Sequence, residues 1–263
     1  MRNPDLQEIE KFTESAENSR IRAELWGDFV GWSGRRRGEN GFLITQLKYH
    51  TARRVLDVAL GDGADAIFLL QKGFDVATNE LDNAFRKKAI ENAKKAGLGL
   101  NPTSLDWRNL SSEYEPNSFD ALICMGNSLT CIKSREGQVD ALRQFREILS
   151  LGGVLLIDER NYQRMLDNRE ATIAGTLKSN ANQVYTGTNR VKTRFLELNN
   201  EMILAQYTHL ESGMKAYYNA YPFKKGELLG LLKEAGFSRI EKFSDYEPGD
   251  NPDADFYQYV CVK

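Results

Sequence analysis

The chain has 263 residues, 35 Lys and Arg against 37 Asp and Glu (formal net charge -2), and is 41% apolar and 27% charged. That suits one large α/β domain, or one domain with an insertion, and lacks the basic excess of a polyanion-binding protein. Two distant histidines, His50 and His209, and three cysteines in no C-x-x-C pair argue against a zinc centre, a Ser-His-Asp hydrolase and a disulfide scaffold.

The opening "MRNPDLQEIEKF" is charged and polar, unlike a signal peptide, and no apolar run is long enough for a membrane span. A reduced, cytoplasmic protein is expected. From Asp5 to Glu24, Leu6, Ile9, Phe12 and Ile21 sit among charges as in an amphipathic helical arm. The stretch "GDFVGWSGRRRGENG" reads as too irregular for a regular element, and Phe42, Leu43 and Leu47 as a short helix. The triplet Arg35-Arg36-Arg37 reads as a basic turn, since no stacking aromatics accompany it to suggest nucleic acid.

An alternating pattern follows. Strands are expected at Arg54 to Ala59, Phe74 to Glu80, weakly near "NPTSLDW", at "FDALICMG" and at "VLLIDERN". Between them, helical spacing covers Gly63 to Gln71, a long segment through Lys95, and Gly137 to Leu149. This order implies a doubly wound, mostly parallel α/β sheet. After Asn161 extended segments and turns suggest an inserted antiparallel cap over Gln163 to Phe223. A helix from Lys225 to Ala235 and the strands "IEKFSDY" and "DFYQYVCVK" then complete the sheet. The expected divisions are an arm or lid (1–50), a cofactor-binding core (51–162), the cap (163–223) and a C-terminal completion (224–263).

The segment "VLDVALGDGADAIFLL" holds Gly61 and Gly63 between a strand and a helix, and G-x-G-x-x-A fits a dinucleotide loop as well as an S-adenosylmethionine loop. A tight turn without ligand is the bland alternative. Asp57 discriminates. A buried carboxylate under the loop repels a diphosphate but suits the ammonium of a methionine moiety. Glu80, ending the second strand, can hold ribose hydroxyls of either cofactor. Asp106 and Trp107 offer an amine acceptor and a ring for adenine, although a lone tryptophan also serves as core.

"VLDVALGDG" resembles the first motif of class I methyltransferases. "ICMGNSLTCI", "LLIDERNY", "ELWGDFVGWSGRRRGE", "NQVYTGTNRVKTRFLELNN" and "NAYPF" are similar, in the same order, to segments of glycine N-methyltransferase and the glycine/sarcosine N-methyltransferases of betaine synthesis. The resemblance spans nearly the whole chain and implies a Rossmann-like class I fold using S-adenosylmethionine. It implies that Trp26 and Arg36 close over the cofactor. Ala59, Gly61 and Gly63 would form the loop, Glu80 would hold the ribose, Asp106 and Trp107 the adenine, and Met125 and Ser128 would flank the cofactor. It further implies that Asn127 and Arg160 hold a small amino acid among Tyr185, Tyr207 and Tyr221.

Arg160 suits that role because a guanidinium grips a carboxylate with two parallel bonds; a salt bridge to Glu159 or Asp158 is the competing reading. Phe29 and Cys131 depart from the family pattern, which has a tyrosine and, in glycine N-methyltransferase, a histidine there. Glycine or sarcosine is the expected acceptor, with another small amine, a nicotinamide-dependent oxidoreductase and a non-catalytic binding module as alternatives. No metal, nucleic acid or membrane partner is expected, and self-association through arm or cap is compatible with the family.

Overall fold

The computed structural model describes residues 4–179 and 190–263. The arm begins with α1 (Pro4–Thr13) and α2 (Ala16–Val30), the latter capped by the Ser15 hydroxyl accepting from the Asn18 amide. The segment expected to be irregular is helical instead. α2 continues to Val30, Gly31 turns the chain at φ 60°, and α3 (Trp32–Gly38) follows. Glycine inside a helix costs about 1 kcal/mol relative to alanine. Burial of Leu25, Phe29 and Val30 on the same helix offsets it, a tertiary term that local spacing does not contain.

After α4 (Phe42–Tyr49) come β1 (Arg54–Asp57), α5 (Ala64–Gln71), β2 (Asp75–Thr78) and α6 (Asn83–Lys95). The weak third strand near "NPTSLDW" reduces to a single parallel bridge between Asn79 and Thr103. Pro102 beside it has no N–H to extend a ladder. A 3-10 helix (Trp107–Ser112), β3 (Phe119–Cys124), a short 3-10 turn (Ser128–Cys131), α7 (Arg135–Ile148) and β4 (Leu149–Arg160) follow.

The cap opens with two short helices rather than strands, α8 (Tyr162–Asp167) and α9 (Arg169–Ala174). Three antiparallel strands then form its sheet, β5 (Val191–Leu198), β6 (Ile203–His209) and β7 (Lys215–Ala220). The chain closes with α10 (Glu227–Glu234), β8 (Arg239–Ser244), β9 (Glu247–Pro248) and β10 (Phe256–Val262). The main sheet has seven strands in the order β2-β1-β3-β4-β10-β8-β9. β1 to β4 pair in parallel, and β10 lies antiparallel between β4 and β8. β3 and β4 are apolar on both faces because helices cover both sides.

Buried side chains join arm and cap: His209 of β6 meets Asp28 of α2 at 3.2 Å, and Asn18 pairs with β7. Asn18 of α2 donates to the Tyr217 carbonyl at 3.0 Å and accepts the Tyr217 amide at 2.7 Å. It thereby pairs with the backbone of β7 at the edge of the cap sheet, where open backbone groups need partners. This holds α2 beside β7, over the carboxyl ends of the parallel strands. Among the described residues no helix is long and apolar enough to cross a membrane.

Candidate active site

A cavity of about 910 Å³ lies at the carboxyl ends of the parallel strands and is walled by arm and cap. Open α/β sheets bind ligands in that position, and this volume accommodates a nucleoside-sized molecule with a small second ligand. Trp26, Ala59, Gly61, Glu80, Asp106, Trp107, Met125, Asn127, Ser128, Arg160 and Tyr207, eleven of the expected site residues, line it.

The loop after β1 is held by carboxylates. Asp57 Oδ1 accepts the Ala59 amide at 3.2 Å, and Glu80 accepts the Gly61 amide at 2.8 Å and the Asp82 amide at 2.9 Å. Burial, against those two bonds, pushes Glu80 up to about 7. Asp57 does not line the cavity: it lies beneath the loop, 3% exposed, its carboxyl raised by burial and then by the charge of Asp65. Gly63 is also beneath the surface, at φ +92°. A Cβ there would stand 3.3 Å from Ala89 backbone, so its role is close packing of α5 against α6.

Arg36 is likewise off the cavity wall. Arg35 and Arg36 of α3 both bond the Asp65 carboxylate, and Arg36 pairs with Glu39 at 2.8 Å. Burial works to raise Asp65, but the two guanidiniums outweigh it and hold the carboxyl below its ordinary range. Trp32 Nε1 adds a 2.8 Å bond to Asp62. The arm is therefore clamped to the loop by charge, with Arg35 rather than Arg36 facing the cavity.

At the far wall, Gly126 (φ +87°) and Asn127 (φ +61°) turn the chain sharply after β3. Asparagine tolerates this left-handed conformation better than most side chains. The turn buries the Asn127 amide, which accepts the Arg160 N–H at 2.9 Å and donates to the Tyr162 hydroxyl at 2.8 Å. Arg160 forms no carboxylate pair among the described residues. Its Nε contacts Met165 Sδ at 3.3 Å, and the guanidinium lies 5.2 Å from the Phe256 ring centroid. The alternative salt bridge is absent because Glu159 accepts the Tyr259 hydroxyl at 2.6 Å and Asp158 accepts the Asn127 backbone N–H at 2.6 Å. Ser128 is turned back onto the Met125 carbonyl at 2.7 Å.

Trp26, Phe29 and Tyr207 form an aromatic wall, with ring centroids 5.2 Å apart for the first pair and 4.5 Å for Phe29 and Tyr207. Burial raises the Tyr207 phenol to about 12, so it stays neutral at physiological pH. Trp107 donates to the Val58 carbonyl at 2.7 Å and meets Phe145 edge-on, combining cavity wall and core. Asp106 caps the following 3-10 helix and pairs with Arg108 at 2.5 Å.

Tyr221 is not in the cavity. β7 ends at Ala220, and the turn sends the Tyr221 hydroxyl to Glu227 of α10 at 2.7 Å. Tyr185 lies outside the described residues. The residues that sequence reasoning missed are Arg22, Phe85, Tyr162 and Tyr218, all cavity-lining. Tyr162 belongs to the segment "LLIDERNY" and Tyr218 to "KAYYNAYPF"; strand alternation could have separated Tyr218 from Tyr217, which packs outward against Phe12.

The loop side of the cavity gathers Asp62, Asp65, Glu80 and Asp82 against Arg22 and Arg35, with Asp57 beneath it. Burial raises Asp57, Asp62 and Glu80; a diphosphate would push them higher still, whereas a sulfonium and an ammonium favour their charged forms, so this lining suits S-adenosylmethionine. An acid-lined glycine loop at the head of this sheet defines the class I S-adenosylmethionine-dependent methyltransferases. Residues 55–153 match the methyltransferase domain family, and an S-adenosylmethionine-dependent methyltransferase from Clostridium acetobutylicum shares the fold. That structure has a TM-score of 0.66 and 15% identity, covering 86% of this chain and 91% of its own.

Glycine/sarcosine N-methyltransferase from Parasynechococcus marenigrum is 34% identical over 245 residues, covering 91% of this chain and 82% of that protein. The enzyme of that name from Aphanothece halophytica is 33% identical over 243 residues, covering 91% and 87%. The chain belongs to the glycine/sarcosine N-methyltransferase family and is an S-adenosylmethionine-dependent methyltransferase. The oxidoreductase and cofactor-free readings of the loop are set aside.

Proposed function

We propose that the chain methylates the nitrogen of a small amino acid, glycine or sarcosine first, as the enzymes it resembles are named to do. The observation that carries this is Arg160, a cavity-lining guanidinium that no carboxylate of the described residues satisfies. Such a group in a partly dry cavity is a site for an external carboxylate.

When bound, S-adenosylmethionine supplies an electrophilic methyl: the C–N bond forms from the amine lone pair as the C–S bond breaks and its electron pair stays on sulfur. The chain's own work is positioning and exclusion of water. Glu80 and the Ala59–Gly61 loop would hold the ribose, Asp106 and Trp107 the adenine, and Met125, Ser128 and Trp26 would line the rest of the cofactor site. Asp57 and Gly63 shape the loop from beneath, and Arg36 fixes the arm over it. Arg160 grips the acceptor carboxylate, and Asn127 organises the hydroxyls around it. Trp26, Phe29 and Tyr207 keep water out. No general base is needed in the transfer itself once the amine is neutral, in keeping with a cavity wall without histidine. The reading extends to a cytoplasmic enzyme of betaine formation that self-associates through arm or cap.

Phe29 and Cys131 in the cavity wall favour, as a second reading, a related small amine carrying fewer polar hydrogens. Incubation with methyl-labelled cofactor and a panel of glycine, sarcosine, dimethylglycine and larger amines decides between them, and product mass counts the methyls. Transfer to none of the three glycine derivatives refutes the first reading.

A further inference from the structure

The polarity of every bond around Asn127 follows from which groups can only donate or only accept. The Arg160 backbone N–H must donate, so the atom 2.9 Å away is Asn127 Oδ1, and Nδ2 faces the opposite side. Nδ2 donates to the Tyr162 hydroxyl at 2.8 Å and to Thr130 Oγ1 at 3.1 Å. Thr130 spends its single proton on the Asn127 backbone carbonyl at 2.6 Å. In the 3.0 Å contact between Thr130 and Tyr218, the donor is therefore Tyr218.

The two phenols end in opposite states. Tyr162 accepts a hydrogen bond from Asn127 Nδ2; among the described residues no acceptor is bonded to its own O–H, although the side chain is 2% exposed and lines the cavity. Tyr218 sends its proton inward and turns its lone pairs to the cavity, apart from a long 3.5 Å contact from Asn127 Nδ2. Cys131 beside it also draws on the Tyr218 O–H, a hydrogen bond that partly offsets the burial raising the thiol. Burial keeps both phenols neutral.

We propose that Tyr162 and Tyr218 are a wired pair that orients the methyl acceptor. Tyr162 donates to the acceptor's carboxylate beside Arg160. Tyr218 accepts an N–H of its amine, which turns the nitrogen lone pair away from Tyr218 and towards the transferring methyl. The chain Tyr218 to Thr130 to the Asn127 backbone carbonyl makes Tyr218 an acceptor rather than a donor. This rests on the reading of the acceptor as a small amino acid, and it adds a preference for an amine that still carries N–H.

Calorimetry on the full chain saturated with S-adenosylhomocysteine tests it with glycine and sarcosine, which carry N–H in either protonation state, and with trimethylglycine and acetate, which never do. Tyr218→Phe is expected to weaken glycine and sarcosine about tenfold and the other two less than twofold, the scale of one lost hydrogen bond in a dry site. Tyr162→Phe is expected to weaken all four about tenfold. Thr130→Val, which frees the Tyr218 proton to face the cavity, should reproduce the Tyr218→Phe selectivity, and Thr130→Ser should restore the parent pattern. Equal weakening of all four ligands by Tyr218→Phe, or of none, overturns the proposal, as does a Tyr162→Phe protein that binds acetate normally. Should the Tyr218 variant fail to fold, the two Thr130 variants decide the question by the same selectivity. A parent protein that binds none of the four overturns the amino-acid reading and this inference together, whereas a parent that binds them with flat variant effects overturns this inference alone.

Discussion

Replacing Arg160 with alanine isolates the acceptor site from the rest of the molecule. The guanidinium has no carboxylate partner among the described residues, so its loss strands no protein anion. What the folded state forfeits is the stack over Phe256, about 0.5–1 kcal/mol for a partly exposed cation over an aromatic ring. What the acceptor complex forfeits is larger, about 1.5–3 kcal/mol for hydrogen bonding to a charged group. That corresponds to a loss of roughly tenfold to 150-fold in kcat/KM, with the thermal midpoint falling only a few degrees. Lysine, a point charge without the fork, should recover only part of the deficit. Initial rates against acceptor concentration at saturating cofactor, beside calorimetric cofactor titration, measure both sides. A variant whose kcat/KM stays within twofold of the parent refutes the carboxylate grip. One whose cofactor affinity falls as far as its acceptor affinity shows a general collapse of the cavity instead.

Asp65→Ala leaves Arg35 and Arg36 without their shared carboxylate, at a site where Arg35 and Asp65 are each 8% exposed, so about 3–5 kcal/mol of stability should disappear in urea titration. Cofactor affinity should fall with it, because the arm loses its hold on the loop; unchanged stability would show the clamp to be redundant. Gly63→Ala forces a Cβ to 3.3 Å from Ala89 backbone at φ +92°, and strain of about 1–3 kcal/mol should appear as a lower thermal midpoint. For pH, burial raises Glu39, Glu80 and Glu159 to about 7 and Asp62 to about 6. Carboxyls with folded values above their unfolded ones hold protons more tightly when folded, so their contribution is full below about 4 and is lost as pH rises through 6 to 7. The cofactor-free protein should therefore melt at a higher temperature at pH 6 than at pH 8, and a midpoint that climbs over that interval would contradict the burial of these groups.

The alternation of strands and helices, the glycine loop and the residues at the strand ends were legible because each is a local feature with a period or a spacing. Ala59, Gly61, Glu80, Met125 and Asn127 sit at strand termini or just beyond, and the sheet brings such termini together whatever the helices do. The arm was harder to read. Glycines at 27, 31 and 34 predict irregular chain from propensity, yet packing beneath the cap makes most of it helix. Arg36 and Tyr221 were the right residue types in the right stretches, but helix rotation and a strand end aim them elsewhere. Asp65 captures the first and Glu227 the second.

By itself the sequence determined the class of sheet, the cofactor loop and the family, since these depend on hydrophobic period, on backbone freedom at a few glycines and on motif order. Only the tertiary structure decided which side chains share the cavity wall. Arg160, Tyr162 and Tyr218 come from two regions far apart in the chain, and they become one site through hydrogen bonds to Asn127 and Thr130. Hydrogen-bond direction depends on every partner being in place at once, and no spacing along a chain encodes that.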